Sequence, residues 1–152
     1  MAVVLTKAQR RANKLIARHR MSLLRGGSRS GKTFLLCRAV ATRAIRAPGT
    51  NHCIFRLRRN AIKGTVWKTL KDVMAKCFPG VPFKESISDL TITLPNGSVI
   101  MAAGLDDADR VDKILGMEFS TVYFNECTQI PWSSVEPALS RLAEKSPLRL
   151  RA

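Results

Sequence analysis

A chain of 152 residues suffices for one globular domain, and a hydrophobic fraction of 45% with 24% charged residues excludes collagen-like, disordered and disulfide-built proteins. The formal net charge is +15, and residues 1–71 contain 18 of the 26 Lys and Arg but none of the 11 Asp and Glu. This asymmetry predicts a polyanionic partner for the first half of the chain.

The first half of the sequence predicts a helix, a strand, a loop and a second helix. Within the basic segment of residues 1–20, a helix runs from Thr6 to His19 with Thr6 as its N-cap. Met21–Leu24 is a short apolar run, which is typical of a buried strand. From Gly31 to about Arg46 the apolar positions follow a helical period, and the Pro-Gly pair at positions 48 and 49 ends that helix.

The second half continues the alternation of strand and helix. We expect a strand over His52–Leu57, a helix over Gly64–Phe78, and a hairpin whose strands, Leu90–Leu94 and Val99–Ala103, flank the turn residues 95–97. A strand over Thr121–Phe124, a helix from about Ser133 to Ala143 and an incomplete strand over Leu148–Ala152 follow. The pattern predicts an α/β domain over residues 1–152 that is incomplete at its C-terminal end. Its sheet is mostly parallel, is flanked by helices and contains an inserted β-hairpin.

The four cysteines contain no CxxC pair, so we expect reduced thiols in a soluble, cytoplasmic protein. No apolar run reaches the length that crosses a bilayer, and the N-terminus lacks the order of a secretory signal. We therefore expect no membrane partner.

Residues 26–33 fit the phosphate-binding pattern G-x-x-x-x-G-K-[ST] between a predicted strand and a predicted helix. Glycines in such a loop allow backbone N–H groups to surround phosphate oxygens, which a helix N-terminus also attracts. Lys32 would bridge the β- and γ-phosphates, and the Thr33 hydroxyl would be a ligand of Mg²⁺. We expect the loop to bind ATP with Mg²⁺ through eight residues: Gly26, Gly27, Ser28, Arg29, Ser30, Gly31, Lys32 and Thr33.

The predicted strand Thr121–Phe124 ends in Asn125 and Glu126, at the place where P-loop ATPases normally have Asp-Glu. The neutral Asn125 amide would act on Mg²⁺ from the outer coordination shell, with a lower metal affinity than a carboxylate. Glu126 would be the general base that activates water. The alternative is a surface strand end without a catalytic role.

These motifs together resemble the N-terminal ATPase domain of the large terminase subunits of tailed bacteriophages, over nearly the whole chain. Residues 5–9 look like the adenine-contacting segment of that family, with Gln9 on the base edge. The other matching segments follow in the order that the family has: Gly26–Thr33; Arg56, Arg58 and Arg59; residues 104–107; residues 113–116; and residues 125–127.

The resemblance implies ATP hydrolysis coupled to translocation of double-stranded DNA into a procapsid. It also implies a ring of subunits, a portal protein and a small terminase subunit as partners, and the cytoplasm of an infected or lysogenic bacterial host. The chain departs from the family in three ways. Ser28 stands where an arginine is frequent, Asn125 replaces Asp, and the sequence stops before the coupling motif and the nuclease domain. We therefore expect no DNA cleavage.

Two other functions remain open at this point. One is another nucleic-acid-dependent P-loop ATPase, such as a helicase-like motor. The other is an inactive truncated terminase that only binds nucleotide or DNA.

The basic side chains of the first half have three possible roles: they line a DNA-facing surface, they form a solvated face, or they contact another subunit. They are Lys7, Arg10, Arg11, Lys14, Arg18, Arg20, Arg58, Arg59, Lys63, Lys68 and Lys71.

Other polar and aromatic residues admit structural interpretations. Trp67 would stack on a base or, as we favour, pack at the edge of a helical stripe. His19 and His52 are expected to have structural roles. Four acidic residues form a solvated loop or helix start rather than a calcium site: Asp106, Asp107, Asp109 and Asp112.

Overall fold

A computed structural model of the chain describes residues 3–106 and 108–143, with only the backbone described for residues 108–110. The strand predicted over Leu148–Ala152 and the side chains of Asp107 and Asp109 lie outside the described residues. The helices are α1 (Lys7–Arg18), α2 (Lys32–Arg46), α3 (Asn60–Ile62), α4 (Lys68–Cys77), α5 (Ala108–Leu115) and α6 (Trp132–Ser140). A π-helical turn (Lys63–Trp67) joins α3 to α4, and a 3₁₀ turn covers Cys127–Gln129. The strands are β1 (Asn51–Arg56), β2 (Lys84–Ser86), β3 (Thr91–Thr93), β4 (Val99–Gly104) and β5 (Thr121–Phe124).

The described strands form one open sheet in the order β2-β3-β4-β1-β5. β1 is parallel to β4 and β5, whereas β3 is antiparallel to β2 and β4, so the sheet is mixed. The predicted hairpin is β3 and β4, and it is part of the sheet because β4 also pairs with β1. The α/β prediction is confirmed, and the short edge strand β2 was not predicted.

Helices cover both faces of the sheet. On one face, α2 and the helical run from α3 to α4 pack against the sheet through side chains such as Val40, Ile54 and Leu70. On the other face, Ile114 of α5 and Ala138 of α6 belong to one buried cluster with Phe55 of β1. α1 lies outside this core and contacts α2 through Ile16 and Leu35.

Thr6 caps α1 as predicted: its hydroxyl accepts from the Gln9 N–H at 3.2 Å, and the Gln9 side chain accepts from the Thr6 N–H at 2.9 Å. The helix predicted to begin at Gly64 belongs to a longer run that begins at Asn60. Trp67 is 4% exposed at the end of the π turn, which confirms the packed-edge interpretation.

The prediction of a buried strand over Met21–Leu24 is wrong. The segment has no strand pairing in the described chain, and Met21 and Leu23 are 77% and 70% exposed. Only Leu24 packs, against the cluster of Ile16 and Leu35. A short apolar run predicts burial, but a strand also needs a hydrogen-bonded neighbour. β5 pairs with β1. A groove of about 100 Å³ separates β5 from Ser22, which lies in the segment that was predicted as a strand.

His52 lies fully buried in β1 within a small polar cluster. The Thr50 hydroxyl donates to the Ala47 carbonyl at 2.7 Å, so the His52 Nε2–H must donate to that hydroxyl, 2.9 Å away. The other ring nitrogen, Nδ1, has no partner among the described residues. Protonation would therefore bury a charge, and burial together with the positive charge of Arg43 lowers the pKa of His52 from 6.5 to about 4.

This histidine should make the stability of the fold depend on pH. Because the folded pKa lies below the unfolded one, the contribution is complete above pH 6.5 and is lost as the pH falls toward 4. A shift of this size corresponds to about 3 kcal/mol. Urea unfolding of the wild type and of His52→Gln at pH 7 and pH 4.5 should show a smaller loss in the variant. His19→Gln, which removes the exposed histidine, is the matched control, and an unchanged loss in His52→Gln would contradict the assignment.

Candidate nucleotide-binding site

The phosphate-binding loop leads directly into α2. Arg29 and Gly31 adopt left-handed backbone conformations, with φ of 59° and 78°, so the chain turns sharply before the helix. Gly31 is the N-cap of α2, and no side chain of the described chain caps the helix there. The first-turn N–H groups of this 15-residue helix therefore remain available to an anion.

Lys32 folds back into the loop. Its Nζ donates to the carbonyl oxygens of Gly26 and Gly27 at 2.8 Å each, and to the Ser30 hydroxyl at 3.1 Å. An ammonium group has three donors, and all three are used here. A phosphate oxygen must therefore replace at least one of these contacts in order to bind the Lys32 side chain.

Thr33 and Asn125 bring the loop and the end of β5 together. The Thr33 hydroxyl donates to the Asn125 side-chain oxygen at 3.2 Å, and the Tyr123 hydroxyl donates to the same oxygen at 3.1 Å. Burial, together with the nearby Cys37, Cys127 and Glu126, raises the pKa of Tyr123, which keeps its hydroxyl a donor. Asn125 is 5% exposed, so its amide is fixed beside Thr33.

The distance between these two oxygens tests whether the residues fit a magnesium ion. Adjacent ligands of octahedral Mg²⁺ lie about 3.0 Å apart when each bond is about 2.1 Å. The Thr33 and Asn125 oxygens are 3.2 Å apart, so one side-chain hydroxyl and one amide oxygen already stand at nearly the required separation. This separation suits direct ligation by both oxygens, whereas the outer-shell role predicted for Asn125 stays a prediction.

Glu126 follows in a strained conformation and carries an ion pair. Its φ of 55° is rare for a residue with a side chain, and such strain costs about 1–3 kcal/mol. Its Oε2 lies 2.7 Å from the Arg56 guanidinium. Arg56 also donates to the Thr65 hydroxyl at 2.6 Å. The candidate base is thus held by a cation from the neighbouring strand.

Gln9 lies against the loop. Its side-chain nitrogen lies so close to Gly31 that a Cβ there would displace it, and the positive φ of residue 31 also favours glycine. Its side-chain oxygen is used in the α1 cap. Gln9 is therefore next to the phosphate loop, and its contact with an adenine base stays a prediction.

Arg56, Thr65 and Tyr123 also belong to the site, although the sequence predicted no role there for these residues and placed Arg56 only in a segment that matches the family. Arg56 ends β1, which is parallel to β5, and Phe55 is in register with Phe124. Carboxyl ends of parallel strands meet at one edge of a sheet, so pairing β1 with β5 would have placed Arg56 near Glu126. Thr65 has no comparable signal, because its position depends on the π turn.

The remaining predicted residues lie at the surface. The six basic residues of α1 and the segment after it are exposed, as are Arg58, Lys63 and Lys68. Lys71 lies 3.5 Å from Glu85, and the Arg59 guanidinium donates to the Ser88 carbonyl. The Asp106 carboxylate accepts the Arg59 backbone N–H, and the described residues contain no group of three His, Cys, Asp or Glu arranged for a metal.

Comparison with solved structures gives the same fold. The large terminase from a thermophilic bacteriophage matches with a TM-score of 0.81 at 20% identity, over 94% of this chain and 37% of that one. A structure of that phage's large terminase in complex with ATP-gamma-S matches with 0.70 at 18% identity, over 93% of this chain and 36% of that one. The large terminase ATPase domain of Thermus phage P74-26 matches with 0.62 at 20% identity, over 85% of this chain and 59% of that one.

The chain thus spans 36–37% of the length of the full large terminases that it matches. No curated protein matches it, and no helix in the described part is long and apolar enough to cross a membrane. The family model described as terminase large subunit, T4likevirus-type, N-terminal, matches residues 23–144. This match covers the phosphate loop and the Asn125-Glu126 pair. The chain therefore belongs to the family of T4-like terminase large subunits, of which it matches the N-terminal region.

Proposed function

We propose that the chain binds MgATP at Gly26–Thr33 and hydrolyses it as the ATPase part of a motor that packages double-stranded DNA. The observation that carries this proposal is the contact between Thr33 and Asn125. It joins the end of the phosphate loop to the strand that bears Glu126, although 92 residues separate the two side chains along the chain.

Each residue has a distinct part in binding. The loop N–H groups and the N-terminus of α2 would hold the phosphates, with the Lys32 ammonium moving from the Gly26 and Gly27 carbonyls to the β- and γ-phosphate oxygens. Thr33 and Asn125 would hold Mg²⁺, which, when bound, neutralises charge on the phosphates. A related terminase has been crystallised with ADP and with ATP-gamma-S, which supports nucleotide binding here.

Glu126 would act on the attacking water. A bond forms between the water oxygen and the γ-phosphorus, and the bond from that phosphorus to the β–γ bridging oxygen breaks, so that ADP leaves. One water proton passes to the Glu126 carboxylate. Arg56 engages Oε2 of that carboxylate, and Oε1 is the oxygen left to accept the proton.

The basic surface would contact DNA phosphates. Exposed basic side chains lie in two groups, one on α1 and the segment after it and the other at Arg58, Lys63 and Lys68. Two groups on separate elements suit contacts with phosphates along a duplex. Family membership supports a packaging motor. A ring of subunits, a portal protein, a small terminase subunit and a location in the bacterial host cytoplasm complete the proposal.

Salt dependence tests the contact with DNA. If about six basic side chains neutralise phosphates, the logarithm of the affinity for a duplex should fall against the logarithm of salt with a slope of about −5. Fluorescence anisotropy between 50 and 300 mM salt measures the slope. A slope near zero would contradict a phosphate-binding surface.

Release of phosphate from MgATP, with and without DNA, tests the proposed activity. Stimulation by duplex DNA, and further by a portal, is expected for a packaging motor. Stimulation by single-stranded DNA alone would favour a helicase-like ATPase. Nucleotide binding without any hydrolysis would favour an inactive remnant.

Replacing Asn125 by Asp should strengthen the use of Mg²⁺. The new carboxylate would attract the metal but repel free ATP phosphates, so the ratio of MgATP affinity to ATP affinity should rise by about tenfold. Calorimetric titration of ATP into the protein, once with MgCl₂ and once with EDTA in the buffer, measures the two affinities and hence this ratio. Asn60→Asp adds the same charge at an exposed position on α3, and an equal rise there would contradict a local effect.

A further inference from the structure

Tyr123 of β5 and Asn125, just after that strand, point to the same face of the sheet. The Asn125 N–H donates to the Phe55 carbonyl at 2.8 Å, so the pairing with β1 continues to this residue. Side chains two residues apart in a strand lie on one side of the sheet, and here that side carries α2. The Tyr123 ring packs against the buried cluster that contains Cys37 and Val40 of α2. It therefore lies between β5 and α2, with its hydroxyl at Asn125.

The side-chain oxygen of Asn125 accepts two hydrogen bonds. One comes from the Tyr123 hydroxyl at 3.1 Å and the other from the Thr33 hydroxyl at 3.2 Å. A carbonyl oxygen has two lone pairs, so both are used. Because Asn125 is 5% exposed, little solvent reaches its amide. The two hydroxyls therefore determine which end of the amide faces the phosphate loop.

The direction of the side chain matters for an amide but not for a carboxylate. An amide has an oxygen at one end and an NH₂ group at the other, and only the oxygen can accept a proton or bind a cation. Rotation by half a turn would point the hydrogens of Asn125 at Thr33. An aspartate would present an oxygen in either direction. Asn125 therefore needs a neighbour that fixes its direction, which an aspartate would not need.

Of the two hydroxyls, only that of Tyr123 can keep its contact when a metal ion arrives. A cation between the Thr33 and Asn125 oxygens would displace the proton that Thr33 now donates. The Tyr123 hydroxyl uses the other lone pair of the Asn125 oxygen and so leaves the first one to the metal. Its position is also set by the packed ring, which belongs to the core and not to the loop.

We propose that Tyr123 is a positioning residue that keeps the Asn125 oxygen toward Thr33, so that a neutral amide can serve Mg²⁺ at a position where P-loop ATPases normally have Asp. This inference rests on the proposed function, because it requires Mg²⁺ to enter with ATP at Thr33 and Asn125. It assigns a role to the hydroxyl of Tyr123 in addition to the packing of its ring.

The carbon NMR shift of the Asn125 side-chain carbonyl tests the positioning role without any nucleotide. A carbonyl carbon resonates at lower field when its oxygen accepts hydrogen bonds, and Asn125→Asp identifies the signal by its loss. Tyr123→Phe keeps the ring but removes the hydroxyl, and it should move the signal to higher field. Thr42→Val removes a comparable part-buried hydroxyl, which donates to the Arg38 carbonyl, and should leave the signal in place. A wild-type signal in Tyr123→Phe would overturn the proposal.

The preference for MgATP over metal-free ATP gives the second measurement, by calorimetric titration in MgCl₂ and in EDTA. The loss of one neutral hydrogen bond should lower this preference by about threefold to tenfold in Tyr123→Phe. When Asn125→Asp is also present, Tyr123→Phe should not lower the preference, because the carboxylate offers an oxygen in either direction. Thr42→Val should keep the wild-type preference.

The two measurements together separate the possible failures. An equal fall with Asn125 and with Asp at this position would mean that Tyr123 shapes the site rather than the amide, which would overturn the proposal. If Tyr123→Phe moves the carbon signal but keeps the wild-type preference, the proposed function survives and the role of Tyr123 toward Mg²⁺ is overturned. If the wild type binds ATP neither with Mg²⁺ nor without it, the proposed function fails together with that role. A moved carbon signal in Tyr123→Phe would then still support the positioning of Asn125.

Discussion

Replacing Lys32 by alanine should weaken MgATP binding by at least about 100-fold. The ammonium would donate charge-assisted hydrogen bonds to phosphate oxygens, and such bonds contribute about 1.5–3 kcal/mol each. The same ammonium ties the Gly26 and Gly27 carbonyls together at 2.8 Å, so its loss also loosens the loop. Calorimetric titration of MgATP into the wild type and the variant measures the difference.

Two controls separate a binding effect from unfolding. Lys76→Ala removes a lysine exposed at the end of α4 and should bind MgATP like the wild type. The thermal unfolding midpoints of Lys32→Ala and the wild type should agree closely, because the hydrogen bonds of the Lys32 side chain to described residues lie within the loop and its loss loosens the loop rather than the core. Wild-type affinity in Lys32→Ala would contradict a phosphate role for this residue.

The parts of the site that sequence reasoning predicted are local in the chain. The phosphate loop and α2 depend on eight consecutive residues and a helical pattern, and the structure has the turn at Arg29 and Gly31 that such a loop requires. The Thr6 cap is equally local. Asn125 and Glu126 follow the short apolar run of β5, and polar residues in the sequence mark both ends of that run. Local chemistry therefore suffices for these elements.

The parts that sequence reasoning missed depend on pairing between distant segments. Arg56 meets Glu126 only because β1 lies between β4 and β5, an order that the apolar pattern does not specify. Thr65 meets Arg56 only because the helix inserts a π turn. At Met21 and Leu23 the sequence predicted too much rather than too little. Their apolar side chains predicted a strand, but both are exposed and no described strand pairs with them.

The strand order also explains why the site forms where it does. β1 and β5 run in the same direction, so their carboxyl ends deliver Arg56 and Glu126 to one edge of the sheet. Stacking of Phe55 on Phe124, with ring centroids 5.6 Å apart, fixes the register one residue before Arg56 and two before Glu126. A change at this aromatic pair would displace both charged side chains together.

Replacing Glu126 by glutamine should abolish hydrolysis while leaving nucleotide binding nearly intact. Glutamine keeps the shape and an oxygen that can accept from Arg56, but it cannot take a proton from water, so the rate should fall by about 10² to 10⁴-fold. Single-turnover hydrolysis with protein in excess over MgATP measures the chemical step, and titration measures affinity in the same preparation.

The Glu126 result distinguishes a base from a structural residue. Glu136→Gln removes the same charge from an exposed position on α6 and should hydrolyse MgATP like the wild type. If Glu126→Gln lost affinity as well as rate, its ion pair with Arg56 would be needed to shape the loop and the assignment as base would be in error. If it kept the rate, another group would activate the water. A loss of rate alone is the outcome that the geometry of β5 and the phosphate loop supports, because Asn125 and not Glu126 contacts Thr33.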